Sequence, residues 1–198
     1  MPPQHFGRLF ALWLRSPTDI GAVAASSRAL ARAMAHEIGS RQLGHIVELG
    51  GGTGAITSAL LERGLPPERL VVVERNRGLC RVLAARFPQV AVLKGDAVSL
   101  RAHLQRAGIE PVTAVVSGLP LLSMPVPMRA RILAEAFATM AGGGRFIQFT
   151  YSLRCPVPKV VLNELGLIGT PRRRIWLNLP PARVWIFSRR AQQLLAAA

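Results

Sequence analysis

Lysine, tyrosine, cysteine and carboxylates are all scarce in this chain, and each shortage excludes something. Cys80 and Cys155 are the only cysteines. They make at most one disulfide and no metal-ligating set, so two reduced thiols and no metal site are expected. Tyr151 is the only tyrosine and aromatics are 6% of residues, thin provision for stacking nucleobases. Ten acidic residues face 25 basic ones, for a net charge of +15, and Lys94 and Lys159 are the only lysines among them. Such an arginine excess implies an anionic partner: nucleic acid, an anionic membrane surface, or phosphate groups. Long apolar runs are missing too. The uncharged stretch Val112 to Met128 is broken by Pro120, Pro125 and Pro127, which excludes a membrane-spanning helix. The run Leu9–Leu14 is short and closed by Arg15, so it does not make a secretory signal with the small residues at 21–26.

What is present suits a single core-forming domain: 198 residues, half of them hydrophobic. Strand-like runs fall at 45–49, 70–74, 90–94, 112–117 and 144–150, with helical stretches near 27–38, 55–63, 76–87, 98–107 and 128–140. That alternation predicts a parallel sheet with helices on both faces. After a helix near 156–165 come two β-like runs, 168–178 and 182–189, joined by NLPPA. They read as an antiparallel hairpin closing one edge, giving a seven-stranded, mostly parallel α/β sheet.

The stretch HIVELGGGTGAIT, His45 to Thr57, places glycines at 50, 51, 52 and 54 between a strand and a helix start. Without Cβ atoms such a turn admits a ligand to bare backbone. Gly50, Gly52 and Ala55 also fit the dinucleotide fingerprint G-x-G-x-x-A, and Glu74 lies where either a dinucleotide or S-adenosylmethionine presents ribose hydroxyls. Three features separate the two. Glu48 faces a pyrophosphate unfavourably but suits a cationic amino-acid group. Asp96, in Gly95-Asp96-Ala97 after the third strand, can accept from an adenine amine. The terminal hairpin departs from the parallel continuation of NAD-binding folds. With E-x-G-x-G-x-G, Glu74 and Asp96 together, residues 45–150 resemble a class I, Rossmann-like S-adenosylmethionine-dependent methyltransferase. The resemblance implies a cofactor site of Glu48, Gly50, Gly52, Thr53, Gly54, Glu74, Arg75, Asp96, Ala97, Ser117 and Gly118.

The loop after the fourth strand, Ser117-Gly118-Leu119-Pro120-Leu121, lacks the Asn/Asp and the aromatic of adenine N-methyltransferases. This weighs against nucleic acid, although ELGGGTGAIT also resembles rRNA adenine dimethyltransferases. At the N-terminus, Phe6, Leu9, Phe10, Trp13 and Leu14 share one helical face opposite Gln4, His5, Arg8 and Arg15, with Leu12 out of place. An amphipathic helix over 1–20 is expected to contact membrane, followed by the methyltransferase domain over 21–198. Several large apolar side chains at about 1.5–3 kcal/mol each, with arginines adding about 1 kcal/mol each on an anionic surface, suffice for reversible binding. WLRSPTDIGAVAASSRALARAM, SGLPL, QFTYS and NLPPARVW, with the glycine loop, resemble bacterial phospholipid N-methyltransferases over roughly Phe10 to Phe187. Ala25 departs from the proline expected there. The resemblance implies phosphatidylethanolamine as acceptor and a peripheral location on the inner face of the cell membrane. In that reading Ser26 and Ser27 cap a helix or close over the cofactor. Arg28, Lys159 and Arg183 are the candidate cations for a lipid phosphate, and Tyr151 is the candidate catalytic residue, holding ammonium intermediates by cation–π contact.

Overall fold

Runs of β-branched residues set the centre of the sheet. In the strands β1 (His45–Leu49), β2 (Leu70–Glu74) and β4 (Val112–Ser117) nearly every side chain is buried, as expected of parallel strands covered on both faces. The computed structural model describes residues 21–39, 44–178 and 180–190, with backbone alone for 21–27 and 173. The expected N-terminal amphipathic helix lies outside the described residues.

The remaining strands are β3 (Ala91–Lys94), β5 (Met140–Thr150), β6 (Leu167–Ile175) and β7 (Ala182–Arg189). The seven run in the order β3-β2-β1-β4-β5-β7-β6. Only β7 is reversed; it pairs antiparallel with β5 and β6. The terminal hairpin therefore closes the sheet as expected, with the last strand inserted between β5 and the edge strand β6. Helices α1 (Gly21–His36), α2 (Ala55–Glu62) and α3 (Arg77–Arg86) cover one face. There Leu30, Met34, Leu60 and Leu83 pack on Ile46, Val72 and Val116. The other face carries α4 (Leu100–Arg106), α5 (Val126–Thr139) and α6 (Lys159–Glu164). Leu104, Leu133, Phe137 and Val161 pack there on Val47, Val115 and Phe146.

Three boundaries move. Helix α1 begins at Gly21, so Ser26 and Ser27 fall within its backbone and do not cap it. Strand β5 starts at Met140, four residues before the strand expected at 144–150, pairing with Val112 before a register shift near Ala114. Strand β6 stops at Ile175, which leaves Trp176 and Leu177 in the turn to β7. Because β1 has β2 on one side and β4 on the other, the chain changes winding direction between β1 and β4. A crevice therefore opens outside the carboxyl ends of the strands there.

Candidate cofactor and acceptor site

A cleft of about 870 Å³ lies at that switch point. The turn after β1 forms its floor. Gly50 and Gly52 have φ of +73° and +54°, conformations that L side chains rarely adopt. A Cβ on Gly50 would meet Leu119 Cδ2 at 2.8 Å, and one on Gly118 would meet the Gly50 carbonyl at 2.8 Å. The two glycine turns thus lie against each other, tied by Gly118 N donating to Leu49 O at 2.8 Å. Gly54 serves differently: a Cβ there would meet the Phe87 ring at 2.4 Å, so its glycine allows the end of α3 to pack against the turn.

Carboxylates stand at successive strand ends. Glu74, buried at the end of β2, accepts from Gly52 N at 3.1 Å through Oε2 and from Asn76 N at 2.7 Å through Oε1. It therefore holds the glycine turn as well as lining the cleft. Asp96 accepts from Val98 N at 3.2 Å and has Arg75 Nη1 at 3.9 Å. Behind it His103 Nε2 accepts from Asp96 N at 3.2 Å, and a Cβ on Gly95 would meet that imidazole at 2.6 Å. Glu48 is fully buried. Its Oε2 accepts from Thr57 Oγ1 at 2.7 Å, while Oε1 has no partner. Burial pushes its carboxyl up to about 8; the Thr57 hydrogen bonds oppose this and the nearby Glu74 charge adds to it.

Of the residues expected from the sequence, the cleft brings together Gly50, Gly52, Glu74, Arg75, Asp96, Ala97 and Gly118. Others support it from outside the lining. Ser117, fully buried, accepts Leu119 N at 3.3 Å, and the Thr53 carbonyl accepts Arg86 Nη1 at 2.8 Å. Ser26 and Ser27 lie on α1, with side chains outside the description. Tyr151 stands apart from the lining. It continues the β5 face that α1 covers, packs edge-on against Phe149 at 5.4 Å, and hydrogen-bonds with Asn178. Burial raises its hydroxyl above the usual range. The three candidate cations are not gathered: Arg28 is exposed on α1, Lys159 is exposed at the start of α6, and Arg183 is half-buried on β7 with its Nε unpartnered.

Several lining residues escape a reading of the sequence. Asn76 carries a legible signal, an N-cap two residues after Glu74, and its Oδ1 accepts from Gly78 N and Leu79 N. Met124, Met128 and Ile132 form the wall opposite the acids and carry none. Gln148 is reached only through the sheet. It is fully buried; Nε2 donates to Leu119 O at 2.9 Å and Phe149 O at 2.8 Å, and Oε1 has no partner. Gln148 does not itself line the cleft; it holds the loop after β4 from the neighbouring strand.

This donor set fits S-adenosylmethionine. A buried acceptor without a partner suits a cationic donor, the glycine wall admits close approach, and the carboxylates at the ends of β2 and β3 can accept hydroxyl or amine hydrogens.

Among known proteins, the chain is 34% identical over 175 residues to an ornithine lipid N-methyltransferase of Singulisphaera acidiphila. The match covers 83% of this chain and 86% of that one. A ribosomal RNA small subunit methyltransferase A of Maridesulfovibrio salexigens is 39% identical over 66 residues, 33% of this chain and 23% of that one. In fold, the chain matches the Burkholderia thailandensis 1,6-didemethyltoxoflavin-N1-methyltransferase, solved with its substrate and S-adenosylhomocysteine. That match has a TM-score of 0.64 at 14% identity and covers 96% of this chain and 91% of that one. No protein-family model matches the chain.

Proposed function

The chain belongs to the lipid N-methyltransferase family of class I S-adenosylmethionine-dependent enzymes, and from that premise we propose that it methylates the amine of phosphatidylethanolamine, toward phosphatidylcholine, at an anionic membrane surface. The observation that carries the reading is the acceptor wall. Leu119, Pro120, Met124, Met128 and Ile132 line it, and no aromatic residue lines the cleft among the described residues. A nucleobase acceptor wants a stacking platform. An amine on a short aliphatic headgroup wants positioning and an apolar wall. The match to the S. acidiphila enzyme supports a lipid amine, and the segments WLRSPTDIGAVAASSRALARAM, QFTYS and NLPPARVW favour the phospholipid headgroup. Among the described residues no helix is long and apolar enough to cross a membrane.

Bound S-adenosylmethionine supplies an electrophilic methyl group on a sulfonium. The chain's own residues do the rest. Glu74 and Asp96 provide acceptors at the cofactor side, Glu48 provides a buried carboxyl for a cationic group, and Gly50 and Gly118 leave room for close approach. A neutral acceptor amine would take that methyl group with S-adenosylhomocysteine as the leaving group, and the resulting ammonium would give its proton to water or to the headgroup phosphate. No described His, Asp or Glu lines the acceptor wall, so the rate gain rests on orientation and on a site matched to the moving charge. Gln148 positions the Leu119 carbonyl. Arg28, Lys159 and Arg183 are the cations available to the phosphate, and the Tyr151 ring is available to methylated ammonium if the headgroup reaches the α1 face.

The test is transfer of labelled methyl to phosphatidylethanolamine vesicles, with ornithine lipid and bulk RNA as parallel acceptors. Label in phosphatidylethanolamine is expected. Label in ornithine lipid alone would move the headgroup assignment, and label in RNA alone would overturn the lipid reading.

A further inference from the structure

Large apolar side chains are not scattered over this surface. Among the described residues eight are exposed, and all but Val82 lie beyond the carboxyl ends of the strands, on the edge where the cleft opens. Leu122 and Met128 follow β4, Leu153 and Val160 follow β5, and Trp176 and Leu177 form the β6–β7 turn. The turn belongs to this edge because β7 runs antiparallel. Arg183 pairs with Thr150, the last residue of β5, and Ala182 pairs with Ile175. Trp176 is 70% exposed and Leu177 is 83% exposed, the most exposed apolar pair described.

The charge in the loops on the β4–β7 part of this edge is of one sign. Segments 117–128, 151–160 and 172–183 contain Arg154, Lys159, Arg172, Arg173, Arg174 and Arg183, and no Asp or Glu. The Arg174 guanidinium lies 4.4 Å over the Trp176 ring, and Arg172 reaches back to Glu37 at 3.0 Å. Apolar tips interleaved with arginine, in loops on the sheet edge where the cleft opens, suit a membrane contact. A tryptophan at the tip has the apolar body and polar N–H that suit the headgroup region.

We propose that the enzyme docks on an anionic bilayer through this carboxyl edge, with the Trp176–Leu177 turn as the inserted tip. Resting on the lipid-amine reading above, it fixes orientation: the cleft mouth faces the headgroups, so an amine enters without its acyl chains leaving the bilayer. The tip is a contact independent of any made by residues 1–20.

The experiment pairs wild type with the double variant Trp176→Ala, Leu177→Ala. Partition is measured on vesicles of phosphatidylcholine with phosphatidylglycerol and of phosphatidylcholine alone. Because both side chains are exposed, the variant keeps its fold, checked by S-adenosylhomocysteine affinity and by methyl transfer to a detergent-dispersed amine lipid, both unchanged. Partition onto the anionic vesicles is expected to fall roughly tenfold or more. Wild-type partition is expected to exceed that on phosphatidylcholine alone. Equal partition of variant and wild type on the anionic vesicles overturns the proposal, as does loss of self-association in the variant with partition intact, which would assign the tip to a second copy of this chain. Absence of transfer by wild type to any dispersed amine lipid would instead overturn the functional reading, leaving the partition result to stand alone.

Discussion

The two halves of the cleft are built on opposite principles. On the β1–β3 side, Glu74 is tied to the N–H groups of Gly52 and Asn76 and Asp96 to that of Val98, so the wall is a hydrogen-bonded frame of carboxylates and glycines. On the β4–β7 side, segments 117–128, 151–160 and 172–183 carry no carboxylate. Buried polar atoms without partners occur on both sides, Glu48 Oε1 on the first and Gln148 Oε1, Arg183 Nε and Trp185 Nε1 on the second, so the carboxylate frame is what separates the two. The difference teaches where constancy and adaptation belong. A cofactor of fixed shape is met by a wall whose geometry is over-determined by short-range hydrogen bonds. Under the proposed function, a headgroup entering from a surface would be met by apolar residues and loops anchored at single points.

The largest effect expected from breaking this comparison is Glu74→Ala. It strands Gly52 N and Asn76 N, two charge-assisted bonds of about 1.5–3 kcal/mol each, and removes the acceptor at the end of β2. S-Adenosylhomocysteine affinity, read by calorimetry, should fall by about a hundredfold or more. Affinity within about threefold of wild type would show that the frame does not depend on this residue.

Gln148→Met probes the other half. The Leu119 and Phe149 carbonyls lose their donor, so the loop that lines the acceptor wall loosens while the carboxylate frame stays. Methyl transfer should fall by about tenfold with cofactor affinity within about twofold. A parallel loss of both would mean that the halves are one cooperative unit.

The subtlest effect concerns Glu48 and pH. Its carboxyl, ordinarily at 4.5, is raised to about 8 by burial, so the folded chain holds a proton that the unfolded chain releases. The stability this brings is complete below about pH 4.5 and is lost as pH rises toward about 8, at up to roughly 1.4 kcal/mol per pH unit. Glu48→Gln keeps the shape and stays neutral. The cofactor-free variant should therefore melt several degrees above wild type at pH 8.5, and about level with it at pH 5, while binding S-adenosylmethionine more weakly. Identical pH–melting curves for the two proteins would remove Glu48 from this role.

Legibility in the sequence followed the range of each interaction. Gly50, Glu74 and Asp96 could be placed because each belongs to one strand–turn–helix unit whose spacing is local. His103 carries no such local signal, since nothing in its neighbourhood shows that its ring sits against Gly95 and accepts from Asp96 N. Gln148 was hidden for a related reason. It lies one strand away from the loop it holds, and strand adjacency is a property of the sheet. Tyr151 was legible as the residue following β5, but its side follows from alternation along β5, which turns it to the face that α1 covers.

By itself, then, the sequence determined the alternating strands and helices, the glycine turn, the acids at strand ends, the terminal hairpin and the family. All but the family are written in short-range periodicity and spacing; the family rests on the resemblance of whole motifs. Only the tertiary structure decided which polar atoms are buried without partners, which amide serves the loop after β4, and that the apolar and arginine-rich loops share one edge with the cleft. Those depend on strand order and on the antiparallel insertion of β7, which bring residues far apart in sequence to within a few ångströms, where burial and hydrogen bonding set their chemistry.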